Sequence, residues 1–411
     1  MRRNAVQRAL CPLTSMYSVV CLFLKLIISQ NLTLRCHISV SLPFCDLSAA
    51  KGMVINMSRL SNLLAVLPEK ADGILVTSPI NQRYLTGFNY SDGYVLVTRG
   101  ASYLLADSRY YEAAKNSCSS EFEVVLIEGD RNVLLRSLLV KSPAAYLCYE
   151  DRSITCAGFE GLRKGLPDVE FIPCGGLFTE LRAVKERCET DKIIAAQRIA
   201  DACFNHVLNF IRRDITERQL ALEIELFMRK NGSEGVAFDI IAVSGQASSL
   251  PHGVPRDIPL ESGPLTMDFG AVIGGYRSDM TRTVFIGEPS DEMRNIYETV
   301  LAAQTTALSL IKPGAKCSDI DAAARKVIDD AGYGKNFGHS LGHGVGLEIH
   351  EAPRLAHNDS SQLVPGNVVT VEPGIYLEGR FGVRIEDMAY ITEDGMENLT
   401  LSPKGLLVLC R

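Results

Sequence analysis

The sequence predicts an α/β (α+β) protein of two domains, the second of them internally duplicated. Three observations lead there. A length of 411 residues exceeds one ordinary core. Strand-like and helix-like stretches alternate from Met57 onward. After Glu189, the order helix, helix, loop, strand pair occurs twice without obvious sequence identity between the copies.

The first domain, residues 53–183, opens with a helix-like stretch at 58–67 and an apolar strand at 73–77. Alternation then marks a hairpin, 94–98 and 102–106, joined through Arg99-Gly100-Ala101. Asp107 is expected to cap a helix starting near Ser108, and α/β alternation continues to about Pro173. The second domain, residues 184–411, begins with a long amphipathic helix at 189–213. A second helix follows, capped by Thr216 and ending before Gly232. A strand at 239–244 and a Gly/Ser/Pro loop through Pro255 lead to a hairpin, 265–273 and 276–286, turning at Gly274-Gly275. The order then recurs. Helices run from about 291 to 311 with Ser290 as N-cap, and from about 319 to 331 with Ser318 as N-cap. A Gly/His loop and strands at 368–372 and 383–391 complete the repeat.

Composition narrows the function classes. A hydrophobic fraction of 46% with 22% charged residues fits a globular protein. A net charge of -6 without a Lys/Arg cluster argues against a nucleic-acid partner, because neutralising phosphates needs a basic face. The twelve cysteines are scattered, with no CxxC pair, which favours a reducing cytoplasm. Cys118, Cys148, Cys156, Cys174, Cys188, Cys203 and Cys317 are expected to be small buried apolar residues. Residues 1–52 read differently: four of the twelve cysteines fall by Cys45, and an apolar run at 16–29 is broken by Lys25. That run is short for a spanning helix, and no small-x-small cleavage site closely follows it. A non-native extension, with translation starting at Met53 or Met57, is expected in preference to export or membrane anchoring.

The chemistry concentrates in the second domain. Five of the seven histidines are His252, His339, His343, His350 and His357, four of them in one short segment. Acids stand in strands that are otherwise apolar: Asp268 in PLTMDFGAVIGG, Asp279 in YRSDMTRTVFI, Glu372 in VVTVEPGIY and Glu386 in GVRIEDMAYI. A carboxylate in a buried strand is costly unless it is paired or binds a cation. With a two-residue turn at Gly274-Gly275, Ile273 faces Tyr276 and Asp268 faces Thr281. Asp279 is then the diagonal neighbour of Asp268, within about 7–8 Å. Glu372 and Glu386 can act alike on the second strand pair. Four carboxylates and one imidazole suit two divalent ions of the Mn, Fe, Co or Zn kind, about 3.5–4 Å apart with a bridging water. The competing account makes each acid an ion-pair partner, with Asp268 pairing with Arg277 or Arg282. Four such acids beside a Gly-flanked histidine cluster favour the metal. His357 is expected to be solvated, and His206 to be a surface or partly buried helical residue.

At these residues the sequence resembles the pita-bread metallopeptidases, a family that includes methionine aminopeptidase, Xaa-Pro aminopeptidase, prolidase and the metal-free creatinase. SLPHGVP, TMDFGAVIGGYRSDMTRT, FGHSLGHGVGLEIHEAP, TVEPGIY and GVRIEDM occur in the family's order. The resemblance implies a creatinase-like N-terminal domain ahead of a pita-bread domain with internal pseudo-symmetry. It implies five metal ligands, Asp268, Asp279, His343, Glu372 and Glu386, with Asp279 and Glu386 touching both ions. It places His252 at the scissile amide nitrogen, His350 at the substrate carbonyl and His339 in a proline pocket. Arg384 and, nearby, Tyr376 are put near substrate or the metal carboxylates, and for Arg384 a plain ion-pair role weighs equally.

Amide hydrolysis is the implied reaction. A hydroxide between two cations, Mn(II) foremost, acts as nucleophile, Glu372 moves the proton, and His252 assists the leaving nitrogen. The large first domain favours an Xaa-Pro aminopeptidase acting on peptides with proline second, over an Xaa-Pro dipeptidase. A homodimer or higher homo-oligomer is implied. A non-catalytic binding protein and a creatinase-like hydrolase are the other candidates, and both normally lack some of the five ligands.

Overall fold

The computed structural model describes residues 58–409, all within the unit Met57–Arg411, so the expectations for residues 1–52 lie outside the described residues. The N-terminal half is built on a six-stranded mixed sheet. Its order is Glu123–Leu126, Ser102–Ala106, Gly93–Thr98, Gly73–Val76, Tyr146–Tyr149 and Glu170–Pro173. Only the two contacts made by Gly93–Thr98 are antiparallel. The two-residue period of these strands sorts their side chains onto two faces. Ile74, Val76, Val95, Val97 and Leu104 join Leu63 and Tyr84 on one side. Leu75, Leu96, Leu105 and Leu147 join Leu135, Leu138 and Leu162 on the other. Each fully buried Leu or Val contributes roughly 1.5–3 kcal/mol. A sheet covered on both faces therefore needs the continuous apolar runs seen here.

The helix expected near Ser108 begins at Tyr111. Asp107 is not its cap, because its carboxylate is taken by Arg109, through the backbone N–H at 2.9 Å and the guanidinium. Its carbonyl accepts from Tyr110 and Tyr111, which makes a turn before the helix. Of the cysteines expected to be buried, Cys148, Cys203 and Cys317 are, Cys118 and Cys174 are half-buried, and Cys156 and Cys188 are exposed.

In the C-terminal half, the helices Arg187–Phe210 and Glu217–Lys230 both open with capping boxes, Glu186 with Glu189 and Thr216 with Gln219. The first hairpin has the expected register, Ile273 opposite Tyr276 and Asp268 opposite Thr281. Gly274 and Gly275 have φ of 57° and 84°, the left-handed pair that a two-residue turn of this kind requires. The second hairpin differs from expectation, since 383–391 is two strands. Phe381–Arg384 pairs with Gly374–Leu377, and Asp387–Ile391 pairs with Val368–Val371. The register is continuous across the break and sets Glu372 opposite Glu386. Pro373, which has no N–H to give, interrupts the ladder there. The first hairpin is interrupted likewise between Phe269 and Val272 and between Arg277 and Met280, with Asp279 in the gap.

Helix Asp291–Leu310 has Ser290 as its cap, as expected. Helix Cys317–Asp330 starts two residues earlier than expected and is not capped by Ser318. Carbonyls of Ser361 and Asp359 accept its N-terminal Cys317 and Ser318 N–H groups, which makes a side-chain cap unnecessary. The Gly/His loop contains two unanticipated strands, Gly342–Gly344 and Glu351–Leu355, in the five-stranded sheet with Val368–Val371. No described helix is long and apolar enough to cross a membrane.

Candidate metal centre and catalytic pocket

The interruptions of the two hairpins face one another and put their acids together. One oxygen each of Asp279 and Glu386 and one nitrogen of His343 lie within 4.8 Å of one another, so these three can hold a metal ion. His343 Nε2 is 3.6 Å from Asp279 Oδ2 and 3.3 Å from Glu372 Oε1. Its Nδ1 is 3.1 Å from the Gly344 carbonyl, a contact that calls for a proton on Nδ1 and leaves Nε2 facing the acids, where it donates to Glu372 when protonated and can ligate a cation when neutral. Glu386 Oε2 accepts from Thr281 Oγ1 at 2.7 Å, and Glu372 Oε1 from Thr370 Oγ1 at 3.2 Å. Asp268 Oδ2 accepts from Arg384 Nη2 at 2.6 Å.

The donor set suits cations. Asp268 Oδ1 and Glu386 Oε1 are buried with no hydrogen-bond partner, an arrangement that is costly unless a cation completes it. Burial, then the charges of Glu386 and Asp268, drives the Asp279 carboxyl well above the usual range. Burial, then Glu372 and Asp268, does the same to Glu386. Asp268 is raised by burial in spite of Arg384. Glu372 departs from the rest: burial pushes it up, but the hydrogen bond and charge of His343 outweigh burial and hold it at about 2. His343 is raised correspondingly, with Glu372 outweighing its own burial. Four acids and one imidazole thus share too little positive charge, which is the deficit that divalent ions make good.

The acids form the floor of a cavity of about 1170 Å³, and His252, His339 and His350 lie on its wall. His252 and His350 are exposed. The His350 ring meets His343 edge-on at 4.3 Å, and the partial desolvation of the ring against the cavity wall, then the charge of His343, lowers its pKa below the ordinary histidine value and favours the neutral form at pH 7. His339 packs edge-on against Phe337 and bonds Tyr376 Oη at 3.2 Å. Arg384 lines the cavity with its guanidinium committed to protein groups: Asp268, Thr281 Oγ1 at 3.0 Å, Tyr376 Oη at 2.7 Å and the Pro251 carbonyl at 3.1 Å. Tyr376 stands behind Arg384 and is not on the cavity wall. Neither Arg277 nor Arg282 is the partner of Asp268. Arg282 pairs with Asp387 at 2.7 Å, and Arg277 Nε donates to the Leu347 carbonyl. His357 is exposed, and His206 stacks on Phe227 while bonding Glu223.

Several residues that sequence reasoning passed over belong to this site. Thr281 donates to Glu386 and accepts from Arg384, so one hydroxyl serves both strand pairs. Arg354 lines the cavity, exposed, with Nη2 on Ser340 Oγ at 3.1 Å and no ion pair among the described residues. Its place in EIHEAPRL, four residues after His350, was the only available signal. Arg182 and Thr179, from the N-terminal half, also reach the wall.

Residues 191–393 match metallopeptidase family M24, and residues 59–184 match the creatinase/prolidase N-terminal domain. An uncharacterized peptidase of Bacillus subtilis is 41% identical over 356 residues, covering 86% of this chain and 100% of the relative. An Xaa-Pro dipeptidase of Pyrococcus furiosus is 36% identical over 352 residues, covering 85% and 99%. Among solved structures, an Xaa-Pro dipeptidase from Bacillus anthracis is similar with a TM-score of 0.83 at 41% identity, covering 85% of this chain and 99% of that one. An X-Pro aminopeptidase from Thermotoga maritima is similar with a TM-score of 0.79 at 38% identity, covering 82% and 98%. With its acids gathered on two hairpins and a histidine brought beside them by the strand Gly342–Gly344, the chain belongs to metallopeptidase family M24, a creatinase-type N-terminal domain preceding a pita-bread metallopeptidase domain.

Proposed function

We propose that the chain hydrolyses the bond between an N-terminal residue and a following proline, using two divalent metal ions. The observation that carries this reading is the five-donor cluster, with two unpartnered carboxylate oxygens, on the floor of a cavity walled by three histidines. Asp268, Asp279, His343, Glu372 and Glu386 would hold the ions, Mn(II) being the first choice over Co, Zn or Fe. The ions would supply Lewis acidity and an activated water near neutral pH. Relatives named for Xaa-Pro dipeptidase and X-Pro aminopeptidase activity support the proline preference.

The chain's own residues divide the remaining work. Glu372, ionised at neutral pH, takes a proton from the nucleophile and returns it to the leaving nitrogen. His350, whose neutral form is favoured at pH 7, has an N–H to offer the substrate carbonyl as charge develops on its oxygen. His252 serves the scissile nitrogen, and His339 with Phe337 forms the proline side of the pocket. Arg384 and Tyr376, expected near substrate or the metal carboxylates, are assigned to orienting Asp268 and His339, since their polar atoms are already engaged. The domain limits 53–183 and 184–411, a reducing cytoplasm and a homodimer or higher homo-oligomer remain parts of the proposal.

The sequence favoured an aminopeptidase acting on longer peptides. Arg354 favours the dipeptidase, because an exposed guanidinium in the cavity, which makes no ion pair among the described residues although its charge reaches the Asp359 carboxylate, is suited to the free carboxylate of an Xaa-Pro dipeptide. The test is hydrolysis of an Xaa-Pro dipeptide beside an Xaa-Pro-Xaa tripeptide, by protein expressed from Met57 and supplied with Mn(II). Cleavage of the dipeptide alone supports the dipeptidase, and cleavage of the tripeptide supports the aminopeptidase. Turnover of neither by metal-loaded protein moves the assignment to a binding protein.

A further inference from the structure

Helix Leu177–Ala183 ends the N-terminal half, and its Arg182 reaches into the C-terminal half. Arg182 Nη2 donates to Glu348 Oε2 at 2.7 Å and to Glu351 Oε1, while Lys185 Nζ donates to Glu351 Oε2 at 3.1 Å. Glu351 Oε1 also accepts the Glu348 backbone N–H at 2.9 Å, so this carboxylate closes the turn that carries His350. On its other side Arg182 Nη1 donates to Asn81 Oδ1 at 2.9 Å, and Asn81 Nδ2 donates to Glu150 Oε1 at 2.6 Å. Glu150, directly after the strand Tyr146–Tyr149, accepts the Thr77 and Ser78 N–H groups with its other oxygen. A continuous polar chain thus runs from the N-terminal sheet to the residue beside His350.

The side chains of Arg182, Lys185 and Glu351 are 8%, 1% and 4% exposed. Ion pairs buried so deeply are held rigidly, because loss of one partner strands the other charge. His350 needs such a support. No hydrogen bond among the described residues fixes its ring, which is exposed and meets His343 edge-on, so its direction follows from the backbone of its turn. Simple adhesion between the two halves would not require the acidic partners to sit on that turn, one of them directly after His350.

We propose that Arg182 is a positioning residue for His350, acting through Glu351, so that the N-terminal half sets where this imidazole stands over the cavity. The proposal rests on the peptidase reading for the role of His350. It is tested in the full chain with Mn(II) and an Xaa-Pro dipeptide, using Arg182→Met, Arg182→Lys, His350→Ala and the double variant R182M/H350A. Amide exchange of residues 346–356 provides a readout without catalysis. Arg182→Met is expected to lower kcat about tenfold with KM changed less than about threefold and metal content unchanged. Arg182→Lys recovers part of the loss. In the His350→Ala background, Arg182→Met lowers kcat by less than about twofold, since the two act as a unit. Exchange rises over 346–356 and stays unchanged over 263–269. A full Arg182→Met effect without His350, or unchanged kcat and exchange, overturns the proposal. If wild-type protein cleaves no Xaa-Pro peptide, the peptidase reading fails by itself, and exchange still decides whether Arg182 holds the turn. Should Arg182→Met not fold, Asn81→Ala, which leaves both ion pairs, carries the same comparison with an expected effect of about threefold.

Discussion

Arg384 Nη2 lies 2.6 Å from Asp268 Oδ2, and the other oxygen of the same carboxylate is buried without a partner. One oxygen is thus fixed by a guanidinium while its twin is left facing the acid cluster. The guanidinium is itself held by Thr281, Tyr376 and the Pro251 carbonyl, so it is a rigid fork and not a mobile counter-ion.

Replacing Arg384 by Met should therefore do two things. It strands a buried carboxylate, at a cost of about 3–5 kcal/mol, and it frees Asp268 to turn away from the cluster. The expected outcome is a lower Tm in metal-free protein together with a lowered metal content. Lysine, which has the charge without the planar fork, should recover part of the stability and little of the metal content. Unchanged metal content in Arg384→Met would show that Asp268 needs no such orientation.

Metal affinity should rise with pH. Asp279 and Glu386 are raised well above ordinary carboxylate values, by burial first and then by neighbouring acids, so the metal-free folded chain holds protons that the unfolded chain has lost. Stability of the metal-free protein then falls as pH rises from the unfolded carboxylate values towards the raised ones. Glu372, held at about 2, has the opposite sign, and its contribution is lost only as pH falls through the acid range. Mn(II) must displace the extra protons. The rise in Tm on adding Mn(II) should be larger at mildly alkaline than at mildly acidic pH, and calorimetry in buffers of different ionisation enthalpy should show proton release.

The part of the site written in local pattern was legible. Gly274-Gly275 specifies a two-residue turn, and the turn fixes the register that sets Asp268 opposite Thr281 and Asp279 diagonally beside it. Glu372 and Glu386 were visible because each interrupts an apolar run. The strand carrying His343 was not, since Gly342 and Gly344 on either side give no apolar period. Arg182 and Glu351 are 169 residues apart and each reads as an ordinary surface charge, so only the packing of the two halves reveals the pair. Arg384 was equally open to substrate and to ion-pair roles until the position of Asp268 settled its partner.

Arg354 provides a test of substrate length. If its guanidinium receives the carboxylate of a dipeptide, Arg354→Ala should raise KM for Xaa-Pro by tenfold or more, about 1.4 kcal/mol for each factor of ten. An Xaa-Pro amide, which has no carboxylate, should be affected by less than about threefold. Tm should hold, because the side chain is exposed and makes one bond, to Ser340. Equal losses on both substrates would mean that Arg354 shapes the pocket without reading charge.

Asp279→Asn separates the two demands on the acid cluster. With metal, the amide is a poor substitute for a carboxylate placed among Glu386 and His343, so Mn(II) content and hydrolysis should both fall to background. Without metal the sign reverses. The wild-type residue, 5% exposed, can be charged only against burial and three other acids, whereas asparagine has no charge to bury. Metal-free Asp279→Asn should accordingly melt no lower than metal-free wild type at neutral pH, and higher at alkaline pH. Adding Mn(II) should raise the Tm of wild type and leave that of the variant almost unmoved. A variant that still gains as much Tm from Mn(II) as wild type would remove Asp279 from the set of metal ligands.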